Sequence, residues 1–123
     1  MSLQVRDVSK AFGDPPVPAL EGIDFTVESG TFTAIVGASG CGKSTLLRIV
    51  AGMTEPDAGA VTMEGRSPHD LRRGKEVGWM AQRPALLPWR RVRDNVALAQ
   101  SINHRPERRL PSPDDLLEMV GLC

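Results

Sequence analysis

Apolar and polar positions alternate at the start of the chain, where Leu3 and Val5 flank Gln4 and Val8 follows, a pattern that predicts a half-buried strand. The same alternation returns at Ile23, Phe25 and Val27 and stops at Ser29-Gly30, with Asp14-Pro15-Pro16 as a turn in between. These two strands are expected to pair antiparallel. The next apolar set, Phe32, Ala34, Ile35 and Val36, is almost continuous and predicts a strand buried on both faces beside them. The spacing then changes to a helical one, with Leu46, Leu47, Ile49 and Val50 on one face and Gly52 where a helix ends. Beyond a turn at 55–59 the pattern predicts short strands over 60–63 and 76–80, separated by a polar, basic loop at 66–75. Val92, Val96 and Ala99 predict an amphipathic helix over 91–100. The last helix has the fullest start signal: Ser112 as N-cap, Pro113 at the first helical position, Asp114 and Asp115 in the first turn. Leu116, Leu117 and Val120 form its apolar stripe and Gly121 its stop. Residues 101–113 read as a proline-broken linker, with Arg105, Arg108 and Arg109 on a solvated face and disorder expected after about Arg105.

Composition narrows the class without naming a partner. In 123 residues, 15 basic and 15 acidic side chains balance, so neither a general nucleic-acid surface nor a trap for acidic substrates is implied. No apolar run approaches the roughly 20 residues that cross a bilayer, and the first residues lack a signal-peptide core, which predicts a cytoplasmic chain. Two cysteines, Cys41 and Cys123, form neither a disulfide framework nor a metal site.

The chemistry is concentrated between the apolar run and the helix that follows it. Gly37, Gly42, Lys43 and Ser44 satisfy G-x-x-x-x-G-K-[ST], with Gly40 as a further glycine inside the loop. Chance alone produces this pattern in roughly one chain in a few hundred of this length. Glycine is required where the backbone enters conformations closed to other residues while several N–H groups approach one anion. The new helix aims the positive end of its dipole at the same point. Lys43 is expected to reach the β and γ phosphates of a nucleotide, and the Ser44 hydroxyl to ligand Mg²⁺.

Other positions stay open at this level. Phe12 is either a base-stacking ring or a core or turn aromatic. His69 reads as a loop residue, because no second metal-type residue stands at suitable spacing. Leu86, Leu87 and Trp89 make an apolar loop between prolines, folded onto the core or facing a partner.

The order of these elements resembles the ATP-binding subunit of ABC transporters over essentially the whole chain. The matching stretches are VSKAF, ALEGIDFTVESG, GASGCGKSTLLRIVAG, EPDAGAV, Gln82 and LLPWRRVRDNV. The last is most similar to importers of nitrate, sulfonate, taurine and related solutes. The resemblance implies an α/β phosphate-loop fold, an ABC-type nucleotide-binding domain present in part, with 1–82 as the catalytic core portion and 83–123 opening the helical subdomain. It implies ATP and Mg²⁺ as ligands, held by Gly37, Ala38, Ser39, Gly40, Cys41, Gly42, Lys43, Ser44 and Thr45, with Phe12 stacked on adenine. Gln82 would approach Mg²⁺ and the attacking water, so that Lys43 and Gln82 are the catalytic candidates and Ser44 and Gln82 the metal candidates. The region 86–89 would dock on the membrane-spanning subunit, and a second ABC subunit would complete a dimer on the inner face of the membrane, with no nucleic-acid partner.

Departures from the pattern bear on this. Ala38 replaces a common proline, and Ala81 and Arg83 flank Gln82 where an aromatic and an acidic residue are frequent. Neither an LSGGQ signature nor an apolar strand ending in Asp-Glu occurs in these 123 residues. The expectation is therefore Mg-ATP binding with negligible turnover by this stretch alone, and low solubility from uncovered sheet edges. Another phosphate-loop kinase or GTPase would leave LLPWRRVRDNV unexplained, and a GTPase lacks its N-K-x-D motif here. A non-catalytic fragment that occupies the membrane partner remains the alternative.

Overall fold

The computed structural model describes residues 2–103 and 109–122. The expected disorder near Arg105 and the positions of Arg108 and Cys123 lie outside them. Two compact units, Met1–Trp79 and Met80–Cys123, divide the chain.

In the first unit, β1 (Ser2–Phe12) and β2 (Val17–Glu28) form the expected antiparallel hairpin, both longer than the alternation predicted. Their turn contains a cis Asp14–Pro15 bond. After α1 (Lys43–Val50), the strand β3 (Ala58–Met63) pairs antiparallel with the free side of β1, giving the order β2-β1-β3. Val5, Val8, Leu20 and Val61 from this sheet pack with Leu46 and Ile49 of α1, and Leu3, Ile23, Phe25 and Val50 surround them. Val5, Val8 and Ile49 are the most completely enclosed, each contributing about 1.5–3 kcal/mol by leaving water.

The hairpin is irregular, and its irregular steps are satisfied by side chains. The register shifts between Val5 and Val8, between Val8 and Lys10, and between Lys10 and Ala11. Asp24 accepts the Asp7 N–H at 2.9 Å, and the Ser9 hydroxyl accepts the Gly22 N–H at 2.9 Å. At the last shift Lys10 faces Leu20 while Ala11 faces Pro18, so Ala19 is an extra residue in β2.

Two predicted strands are absent. The run 32–36 is not a strand, and Phe32 and Val36 are 97% and 88% exposed. A continuous apolar run is the mark of a strand held between neighbours in a parallel sheet, and among the described residues none pairs with it. Its place beside the hairpin is taken by β3. Residues 76–80 also lack strand pairing, for the same want of a neighbour, and Met80 is 93% exposed.

The polar stretch expected as a loop at 66–75 contains α2 (Pro68–Arg73) instead. Ser67 caps it by accepting the Asp70 N–H at 3.1 Å, and Leu71 is its buried residue. The sequence SPHDL repeats the start signal that SPDDL carries at 112–116.

In the second unit, α3 (Val92–Ile102) and α4 (Pro113–Met119) occur as predicted. Ser112 and Asp115 form a reciprocal capping box at the start of α4. The helices are tied by a two-pronged ion pair, Arg93 Nε and Nη2 to the Asp114 carboxylate at 2.7 and 2.9 Å, and by Gln100 donating to the Pro111 carbonyl. Neither helix has a fully buried residue.

Candidate functional site

The segment 37–45 wraps the N-terminus of α1, and glycine geometry explains its course. Gly40 and Gly42 both take positive φ, 79° and 93°. Gly42 is the residue before the first helical position, and no side chain caps the helix there. The first-turn N–H groups of Lys43, Ser44 and Thr45 consequently have no intrahelical acceptor, which suits an anion and nothing apolar. A Cβ on Gly42 would strike the carbonyl of Ala19, the bulged residue of β2, and meet Leu20 Cδ2 at 2.9 Å. The loop is thus seated on the hairpin through a backbone contact that only glycine permits.

Lys43 folds back over the loop. Its ammonium donates to the Gly37 carbonyl at 2.7 Å and the Ala38 carbonyl at 2.5 Å, and lies 3.3 Å from the Cys41 sulfur. Cys41 is an exposed free thiol whose N–H closes a turn on the Ala38 carbonyl. The ammonium is thus held by two loop carbonyls and a sulfur, none of them acidic. Ser44 is exposed and Thr45 half-buried on the first turn of the helix. A triphosphate and a hard cation fit this donor set: backbone amides and an ammonium for the anion, a hydroxyl oxygen for the metal.

Phe12 ends β1 and pairs with Val17, two positions from the bulge that carries the loop. It is 49% exposed, and the Lys10 ammonium lies over its ring, 5.5 Å from the centroid. The ring is outside the core, at the strand end that leads into the turn at 13–16, a position open to a turn aromatic as well as to a base-stacking ring. Gln82 is exposed and belongs to the second unit.

In that unit, Leu86 and Trp89 are 68% and 76% exposed, while Leu87 is half-buried. The turn that presents them is fastened by Asn95, a residue with no mark in the sequence pattern. Its Oδ1 accepts the Leu87 N–H at 2.7 Å. Its Nδ2 faces the carbonyls of Leu87, Arg90 and Arg91 at 3.1 to 3.2 Å, of which two can be served at once. An Asn inside the first helical turn is the signal that could have found it, since that residue type prefers local backbone bonds.

Elsewhere in the first unit, a recess of about 430 Å³ lies at the far end of α1, lined in part by Ile49, Gly52, Pro56, Ser67 and His69. It is separate from the loop, since no residue of 37–45 lines it. His69 lies on α2, not in a loop, 3.9 Å from Asp70. Among the described residues no cluster of acidic, His and Cys side chains could hold a metal, and no helix is long and apolar enough to cross a membrane.

Residues 20–122 match the ABC transporter family. The chain is 43% identical over 126 aligned residues to the sulfate/thiosulfate import ATP-binding protein CysA of Mycolicibacterium paratuberculosis, covering 99% of itself and 34% of that protein. It is 45% identical over 124 aligned residues to the aliphatic sulfonates import ATP-binding protein SsuB of Cupriavidus necator, covering 39% of it. It thus spans little more than a third of these relatives. A dimeric ATP-binding cassette in a post-hydrolysis state, bound to ADP and phosphate, superposes with a TM-score of 0.75 at 25% identity over 87% of this chain and 50% of that one. An ATP-binding subunit of an ABC transporter superposes with a TM-score of 0.74 at 28% identity, over 96% of this chain and 50% of that one. The chain belongs to the ABC transporter family, in its ATP-binding cassette.

Proposed function

We propose that the chain is part of the ATP-binding subunit of an importer, which couples ATP hydrolysis to uptake of a small solute such as nitrate, a sulfonate or taurine. The observation that carries this reading is the seat of Gly42 on the Ala19 carbonyl, which starts α1 with no capping side chain beside a loop that the Lys43 ammonium closes. Lys43 exchanges its loop carbonyls for β and γ phosphate oxygens, the amides of 43–45 take further oxygens, and Phe12 stacks on adenine. Mg²⁺ would be held by the Ser44 hydroxyl and would neutralise charge on the phosphates. Gln82 orients the attacking water. The relatives named for sulfate, thiosulfate and aliphatic sulfonates support a small oxyanion or organosulfur solute.

Phosphoryl transfer also needs a carboxylate near the water and, in a closed dimer, a signature motif from the second subunit. These 123 residues carry neither, which supports Mg-ATP binding with negligible turnover by this stretch alone; a non-catalytic fragment that occupies the membrane partner is the second reading. The exposed Leu86 and Trp89 are the contact for a membrane-spanning partner, at the inner face of the membrane. Titration of a fluorescent ATP analogue with Mg²⁺ tests the site: Lys43→Ala is expected to weaken binding at least about tenfold, the scale of one charge-assisted contact to phosphate. Equal affinities for the two proteins would sink the proposal.

A further inference from the structure

Three consecutive residues of β1 immediately before Phe12 are braced by one residue distant in sequence. Asp57 donates its N–H to the Ser9 carbonyl at 2.9 Å. Its Oδ1 accepts from the Lys10 ammonium at 2.6 Å and its Oδ2 from the Ala11 N–H at 2.8 Å. The reason lies in the sheet. Pairing of β1 with β3 ends at Ser9 opposite Ala58, so β1 outruns its neighbour and the Ala11 N–H points to a side where no strand continues. The Asp57 carboxylate takes the place of the missing strand carbonyl. Its second oxygen holds the Lys10 side chain, only 16% exposed, so that the ammonium lies over the Phe12 ring.

We infer that Asp57 is a positioning residue for the base-binding side of the nucleotide site, holding the end of β1 and the Lys10 cation so that the half-exposed Phe12 ring is presented in one orientation to a purine base. The inference rests on the reading of Phe12 as the ring that stacks adenine. An exposed aromatic at a strand end would otherwise move among rotamers, and base stacking would have to restrict it at the moment of binding. A cation fixed over the ring restricts it beforehand. The lowered pKa of Asp57, caused first by the Lys10 hydrogen bond and then by the Ala11 N–H, fits a carboxylate that stays ionised in this role.

The test separates base from phosphate. Affinities of the full-length protein for Mg-ATP and for inorganic triphosphate, which has no base, are measured by competition with a fluorescent nucleotide for wild type, Phe12→Ala, Asp57→Asn, Lys10→Met and the Phe12→Ala/Asp57→Asn double variant. Phe12→Ala and Asp57→Asn are each expected to weaken ATP about three- to tenfold, the scale of a stacking contact, with triphosphate unchanged. In the Phe12→Ala background Asp57→Asn is expected to add nothing. Lys10→Met, which leaves the Ala11 bond in place, is expected to weaken ATP alone, and it serves if Asp57→Asn does not fold. Equal losses for ATP and triphosphate would mean that Asp57 only stabilises the fold, and would overturn the inference. So would an unaffected ATP affinity in Asp57→Asn while Phe12→Ala is impaired. An unaffected Phe12→Ala would overturn the stacking reading and the inference with it.

Discussion

Gly42 and Gly40 share a left-handed backbone but differ in what surrounds them, and the difference sets their tolerance to change. A Cβ on Gly40 meets nothing within 4 Å, whereas one on Gly42 runs into the Ala19 carbonyl. Gly40→Ala is expected to cost only the conformational strain, roughly 1–2 kcal/mol. Gly42→Ala should cost more than this and also unseat the loop, so it lowers both the unfolding temperature and nucleotide affinity. Thermal unfolding of the two variants side by side checks the order, and equal shifts would contradict the seat. The spacing of Gly37, Gly42, Lys43 and Ser44 is legible in the sequence because each demand is local to the loop. What presses on Gly42 is not legible, since Ala19 comes from another element and is brought there by a register shift. Phe12 is ambiguous for a similar reason: the pattern places it between two strands, while its place at the end of β1 and its exposure depend on β1 running past β3.

At the scale of elements, helices were read better than strands. The starts of α1 and α4 follow from nearby residues, glycine before Lys43 in one case and the Ser112-Pro113 pair with Asp115 in the other. The same grammar at Ser67-Pro68 is hard to read as a helix start because the segment is polar and short, and a single buried Leu71 gives no periodicity. The runs 32–36 and 76–80 have the composition of strands, but a strand exists only with a partner, which composition does not supply. Asn95 makes an element-level prediction possible. Asn95→Ala leaves the Leu87 N–H without its side-chain acceptor and frees the 87–91 turn, at a local cost of about 1–3 kcal/mol. Hydrogen exchange at the Leu87 amide should accelerate accordingly while amides of β1 stay protected; unchanged exchange at Leu87 would show the turn is held by something else.

Across the whole molecule, the balance of 15 basic and 15 acidic residues conceals a consistent acid sensitivity. Asp57 is held below the ordinary carboxylate range by Lys10 and the Ala11 N–H, Asp114 by Arg93, and Asp70 by the Ser67 hydroxyl. Each pKa is depressed by folding, so each contribution is present in full at neutral pH and is lost as the pH falls below about 4 through the folded values. The paired Arg66 and Arg93 are shifted upward, by Glu76 and Asp114 respectively, and stay charged throughout this window. Because these pairs are exposed and screened by solvent, the unfolding temperature is expected to fall modestly on acidification, with Asp57→Asn and Asp114→Asn flattening the curve. A profile that is level between about pH 5 and pH 2 would contradict this.

The extra residue in β2 has one more consequence. Without Ala19, Lys10–Leu20 and Ala11–Pro18 would follow one another as an unbroken ladder, and the hairpin would gain regularity. Yet that irregular step is what turns a carbonyl toward Gly42. Regularity of the strand and the seat of the loop pull in opposite directions here. A redesign that chose the most ideal hairpin would delete the residue whose carbonyl Gly42 rests against, and the stiffer sheet would leave the loop without that seat.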